Sequence, residues 1–283
     1  MEVNTNINRD CGGDRHFVSV LTYFRKVCSL HRKQRLPILT RRLWPAGQLR
    51  TETDGIEKRG YCLNMKTDLF QQPDALIFDM DGTLWDGVET YAQGFNDFFK
   101  KEQIDRQLTK DDLKHLMGLE EDEFLEAALP EFSKTERKIA YKEIIDFQYK
   151  RIESDGGVLY DGVKKGLLQL SEKYKLFIVS NCPRYTIDYF VKWAKIENII
   201  TESLAHGKNY KPKHQNIRFL IKKYGLKNPY YIGDTDSDRK QSHLVPLTFV
   251  FVDYGFGTTG KYHLRFSTFV ELTDYFMRGF VRK

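Results

Sequence analysis

Apolar residues fall along this chain in different rhythms, and the change of rhythm divides it. From residue 1 to about 72 neither a helical nor an alternating period is sustained: HFVSVLTYF is a short apolar patch and HRKQRLPILTRRLW a basic stretch. Residues 1–72 are therefore expected to form a disordered or non-native extension. Regular patterning starts near Asp74. ALIFDM is a short, continuous apolar run that fits a strand covered on both faces, as in a parallel sheet. The segments ETYAQGFNDFFKKE, TKDDLKHLMGL, EDEFLEAALPEF and KTERKIAYKEIIDFQYKRIE then space their apolar residues as one face of a helix does, predicting about four helices with no strand between them. Afterwards the rhythm alternates: helix over 162–173, strand LFIVSN, helix over 184–195, a short strand near Ile199, helix over 214–224, strand YYIGD, a helix or turn near 238–244, and strand TFVFVDYG. Strand and helix in alternation predict an α/β fold, a doubly wound parallel sheet with helices on both faces. The expected domains are a core of residues 73–87 and 156–283 and an inserted helical cap over 88–155.

Charge changes this picture less than its total suggests. The net +6 arises within residues 1–64, which hold 12 Lys and Arg against 6 Asp and Glu, leaving 33 of each for the rest. The patterned part thus has no basic bias, and no nucleic-acid partner is expected. Three of the four cysteines, Cys11, Cys28 and Cys62, also lie in that first segment, with no zinc-site spacing among them. No apolar run approaches the roughly 20 residues that span a bilayer, and the start MEVNTNINRD lacks a secretory pattern, so no membrane partner and a cytoplasmic location are expected. The composition changes abruptly before Met65. Residues 1–64 are expected to be dispensable for catalysis, either as a basic tail or as the product of a misassigned start.

Ligands of open parallel sheets bind at the carboxyl ends of the strands. Here those ends read Asp79-Met80-Asp81-Gly82-Thr83, Ser180-Asn181 and Gly233-Asp234-Thr235-Asp236-Ser237-Asp238. A hairpin turn at Asp81-Gly82 explains the first alone. A 12-residue calcium loop fails for the third, because its sixth and twelfth places hold Arg239 and Val245 rather than Gly and Glu. Asp79 and Asp81, two apart on an extended chain, face the same side. Four clustered carboxylates, Asp79, Asp81, Asp234 and Asp238, need cations, and oxygen ligands without His or Cys suit a hard ion such as Mg2+ beside phosphate oxygens.

The ordered set DMDGTL, VSN, a lysine at a helix start and GDTDSD resembles the haloacid dehalogenase superfamily of aspartate-nucleophile phosphohydrolases, over about residues 74–276. DGTLWDG, GGVLYDGV, VSNC and VDYGFG are similar to the branch near the phosphoglycolate phosphatases. The resemblance implies a Rossmann-type core with a small helical cap and a Mg2+-dependent enzyme acting on a small phosphorylated metabolite. It implies Asp79 as nucleophile, Asp81 as general acid and then base, and a magnesium held by Asp79, the Met80 carbonyl and Asp234, with Asp238 directly or through water. It also implies Ser180 on the phosphoryl group, Asn181 ordering that loop, and Thr83 donating near Asp79. The lysine is Lys211, in the Lys-Pro pair common in the family, or Lys213, which fits a shorter Lys-x-x-Asn-Ile form better. The cap is expected to meet the leaving group near Gly118–Glu123 and Trp85–Thr90. The text RKQSHLVPL after GDTDSD departs from the small residues usual there. A sugar phosphomutase using the same aspartates and a non-catalytic scaffold for phosphorylated ligands are the alternatives. A Cys-x5-Arg phosphatase is excluded, since no cysteine has an arginine six places on.

Overall fold

The computed structural model describes residues 71–278, so the expectations for residues 1–70 lie outside the described part. The strands are β1 (Ala75–Phe78), β2 (Trp85–Asp86), β3 (Val158–Leu159), β4 (Lys175–Ser180), β5 (Glu202–Ala205), β6 (Pro229–Gly233), β7 (Thr248–Val252) and β8 (Leu264–Phe266). The helices are α1 (Val88–Lys101), α2 (Lys110–Lys114), α3 (Glu121–Ala128), α4 (Lys134–Ser154), α5 (Val163–Ser171), α6 (Thr186–Ala194), α7 (His206–Asn209), α8 (Lys213–Tyr224), α9 (Asp236–His243) and α10 (Phe269–Arg278).

Six strands form one parallel sheet in the order β5-β4-β1-β6-β7-β8. β1 is central and all four of its residues are fully buried. Its side chains alternate between faces. Ala75 and Ile77 pack with Ile217 and Leu220 of α8, while the Phe78 ring lies 5.9 Å from that of Phe269 on α10, on the opposite face. That double burial is why ALIF reads as an unbroken apolar run. Each fully buried large side chain contributes about 1.5–3 kcal/mol.

Four helices stand between β2 and β3, which pair antiparallel through Trp85 with Leu159 and Asp86 with Val158. This ribbon ties the two stems of the insertion, and the Thr90 hydroxyl adds a hydrogen bond to the Gly156 carbonyl. α1 and α4 form the body, with Gly94 letting the backbones close around Gln148. Capping boxes start α2 at Thr109 with Asp112 and α4 at Ser133 with Glu136. The segment TKDDLKHLMGL is helical only over Lys110–Lys114 and then turns, with Gly118 at φ +87°.

The sequence expectation of a strand near Ile199 is corrected. Glu197–Ile199 is a 3-10 turn and the strand begins at Glu202. ESLA forms a sheet edge, where Leu204 and Ala205 are buried and Glu202 and Ser203 are not, so no apolar run announces it. The pattern reading also omits β8 and α10, although α10 places Phe269, Leu272, Thr273 and Phe276 on one buried face. No described helix is long and apolar enough to cross a membrane.

Candidate active site

The ends of β4, β1 and β6 are neighbours in the sheet, so Ser180, Asp79 and Asp234 arrive together from distant parts of the chain. The Asp79 amide donates to the Ile232 carbonyl at 2.8 Å and carries the β1–β6 pairing one residue past the strand. The chain then turns sharply. Gly82 has φ +79°, and a Cβ there would overlap the Asp234 carboxylate. The chain does turn at Asp81-Gly82, and the turn brings the first strand end against the third. Gly82→Ala is expected to cost about 1–3 kcal/mol in thermal or denaturant unfolding, from backbone strain and the displaced carboxylate.

Asp79, Asp234 and Asp238 each offer a carboxylate oxygen, and these oxygens lie within 4.8 Å of one another. All three residues are buried. Lys213, the first residue of α8 after the extended Pro212, inserts its ammonium among them, 3.1 Å from Asp79 Oδ1 and 2.6 Å from Asp238 Oδ1. Asp238 is the third residue of α9. Its Oδ2 accepts from the Thr235 amide at 3.0 Å and hydroxyl at 2.6 Å, and its Oδ1 from Lys213 and from the Tyr231 hydroxyl at 3.1 Å. Burial opposes its charge, but Lys213 and Thr235 outweigh burial and hold the carboxyl below its ordinary value. Desolvation likewise disfavours the Lys213 charge, and Asp238 and Asp79 override it, holding its pKa above the ordinary lysine value.

Asp79 and Asp234 are less well served. Burial raises the Asp79 carboxyl well above its usual value against the pull of Lys213, and its Oδ1, though ion-paired, makes no hydrogen bond. Burial and Asp238 push Asp234 up to about 7, opposed by the Phe256 amide, which donates to Oδ2 at 2.7 Å. Asp81 stands beside this cluster on the turn. Its Oδ1 accepts from the Tyr91 hydroxyl at 2.8 Å and from the Trp85 indole at 3.1 Å. Burial raises its carboxyl to about 6 despite those two bonds.

A profile of the family described as haloacid dehalogenase-like hydrolase matches residues 76–252, from β1 to the last residue of β7. The chain belongs to that family. A phosphoglycolate phosphatase of Colwellia psychrerythraea is 27% identical over 199 residues, covering 66% of this chain and 87% of that protein. Among solved structures, a predicted phosphoglycolate phosphatase from Haemophilus somnus superposes with a TM-score of 0.64 at 21% identity, over 72% of this chain and 98% of that one. A haloacid dehalogenase-like family protein from Streptococcus pneumoniae gives 0.63 at 20% identity, over 72% and 99%. At such identities these structures establish the fold.

Within this haloacid dehalogenase-like hydrolase, the remaining expected residues divide. Ser180 is buried at the end of β4 and accepts from the Cys182 amide at 3.3 Å, and Asn181 Oδ1 is buried without a hydrogen-bond partner. Cys182 is buried beside them, and burial pushes its thiol up. Thr83 is fully buried, but its hydroxyl donates to Asp234 at 3.5 Å rather than near Asp79. Lys211 is exposed, and it is the Lys211 carbonyl that accepts, from His206 and Asn216. The Met80 carbonyl, expected among the metal oxygens, accepts from the amides of Leu84 at 2.9 Å and of Thr83 and Trp85 at 3.3 Å. These bonds close the turn, and an ion at that oxygen would compete with them. A hard divalent cation fits the remainder: three buried carboxylates stand around one ammonium, no His or Cys among the described residues joins them, and Asp79 Oδ1 lacks a hydrogen bond. Asp238 already accepts four hydrogen bonds, so it would meet an ion by giving up one of them or through water, whereas Asp79 and Asp234 have open capacity. Of the two stretches expected to meet the leaving group, Gly118, Leu119 and Glu121 line the cleft with Tyr91 and Phe124, while none of Trp85–Thr90 is among its lining residues. Tyr91 and Tyr231 were not legible beforehand, since nothing in their own segments marks a phenol that reaches a carboxylate.

Proposed function

We propose that this hydrolase is a phosphatase that cleaves a small phosphomonoester through a covalent phosphoryl intermediate on Asp79. The observation that carries the reading is the pairing of a buried Asp79, held against Lys213, with a second carboxyl on the same turn whose pKa is raised to about 6. The Colwellia relative, named a phosphoglycolate phosphatase, supports the same reaction class.

An Asp79 carboxylate oxygen attacks phosphorus and the bond from phosphorus to the ester oxygen breaks. Protonated Asp81 gives its proton to the departing alkoxide, leaving an aspartyl phosphate and an Asp81 carboxylate. That carboxylate then takes a proton from water, the water oxygen bonds to phosphorus, and the bond to Asp79 breaks, releasing inorganic phosphate. A carboxyl near 6 serves both proton transfers close to neutral pH. Lys213 donates to Asp238 and is ion-paired with Asp79, and its ammonium keeps N–H capacity for a phosphoryl oxygen. Ser180 supplies a further hydroxyl, and Asn181 orders the loop. Mg2+, held by Asp79 and Asp234, would neutralise charge on the phosphoryl oxygens.

Release of inorganic phosphate from a simple aryl phosphate, with Mg2+ present, tests the reading. Phosphoryl migration within a sugar phosphate without release would replace it with a mutase, and tight binding without turnover with a scaffold. Asp81→Asn is expected to lose about 10²–10⁴-fold in kcat while still accumulating acid-stable label from a radiolabelled ester, because the nucleophile survives. An unchanged kcat would remove Asp81 from the proton-transfer role. Lys213→Ala is expected to lose about 10²–10³-fold, whereas Lys211→Ala stays within about twofold; two mild variants would leave the phosphoryl charge without its lysine.

A further inference from the structure

On the phosphatase reading, the phosphoryl group lies at the strand ends and the rest of the substrate extends toward the helical insertion. The strand-end wall of the cleft holds the acids Asp79 and Asp81 and the base Lys213. The insertion wall is of another character. It presents Leu116, Met117, Leu119, Phe124 and Tyr141, and its one charged lining residue among those described is Glu121. Glu121 is also the first residue of α3, and Asp122 and Glu123 follow it in the same turn. The positive end that a helix N-terminus would offer an anion is therefore met by three acids. Lys213, the one cation lining the cleft among the described residues, is paired with Asp79 and Asp238 at the opposite wall.

We infer, resting on the phosphatase reading, that the leaving group of the preferred substrate is uncharged and presents an apolar or aromatic face to this wall, and that leaving groups bearing a carboxylate are disfavoured. A carboxylate there would give up water without gaining a cation and would stand near Glu121, so both desolvation and like-charge repulsion act against it. Apolar surface meets Leu116, Met117 and Phe124 at no such cost. The inference separates this chain from phosphoglycolate, the ester for which the Colwellia relative is named, since the leaving group of that ester bears a carboxylate.

The test compares benzyl phosphate with 2-phosphoglycolate on the full chain with Mg2+. Both are primary alkyl esters, so the comparison reads the wall rather than aryl reactivity. The expected kcat/KM favours benzyl phosphate by about tenfold or more. Glu121→Lys, at a half-buried position, is expected to shift the ratio toward phosphoglycolate by about fivefold or more. Equal or better use of phosphoglycolate by the unmodified protein overturns the inference and leaves the phosphatase reading standing, and so does a folded Glu121→Lys variant with an unmoved ratio. The unmodified protein's ratio alone decides if that variant does not fold. Hydrolysis of no ester in a broad panel overturns the phosphatase reading and this inference with it.

Discussion

Asp79→Asn abolishes turnover, by at least about 10⁴-fold in kcat, without loss of thermal stability. The amide has no carboxylate oxygen to bond phosphorus, and no neighbouring group of the described site replaces it: Asp238 is saturated by Lys213, Tyr231 and Thr235, and Asp234 is held by Phe256. Stability follows from the sign of the shift. Burial raises the Asp79 carboxyl in the folded chain, so the ionised form is worse tolerated there than in the unfolded chain. The resulting penalty sets in as pH rises through the unfolded carboxyl value near 4. A neutral amide of the same shape removes that penalty at neutral pH, at the expense of one ion pair with Lys213. Phosphate release and thermal unfolding, measured on the same preparation, check both halves. Substantial phosphate release by the folded variant would take the nucleophile away from Asp79.

Chelation by EDTA is expected to reduce phosphate release to background, with Mg2+ restoring it and Ca2+ supporting it poorly, because the larger ion's looser coordination disturbs in-line positioning. The same ion has a signature independent of activity. Buried carboxylates with raised pKa values bind a cation in the folded state only, so Mg2+ should raise the unfolding temperature, by the equivalent of about 2.7 kcal/mol at a concentration 100 times its dissociation constant. Asp234→Asn should remove most of that shift. Full activity in chelator, or a melting temperature indifferent to Mg2+, would leave the acid cluster as a purely structural device.

What the sequence disclosed depended on whether a residue's environment is written into its own neighbourhood. β1, β4, β6 and β7 are covered on both faces and so read as apolar runs; β5 and β8 lie at the sheet edges and do not. Strand-end positions could be read for Asp79, Asp81, Ser180 and Asp234, because a polar residue that stops an apolar run is a local signal. The helix start at Lys213 is of the same kind. Hydrogen-bond partners were not local. Tyr231 reaches Asp238 inside the fold, Tyr91 reaches Asp81 from the insertion, and the Met80 carbonyl is consumed by a turn whose geometry no composition rule states. The insertion showed its helices by their period, while the one acid on its cleft wall is marked by nothing but position.

The place of β1 in the sheet also governs how the enzyme is made. ALIF is synthesised first among the sheet strands, yet Ala75 pairs with Lys175 and Pro229, 100 and 154 positions downstream. At about 5–20 residues per second, β1 leaves the ribosome on the order of ten seconds before β6 exists to cover its second edge. Both edges of this apolar strand are bare until β4 is made and one until β6 is made, while α1–α4 are able to form among themselves from contacts close in sequence. Such a strand is a template for pairing with other nascent chains. What shields ALIF until residue 229 emerges then bears on the yield of active enzyme, and so does the time at which β6, the fourth strand of this sheet to be made, becomes available.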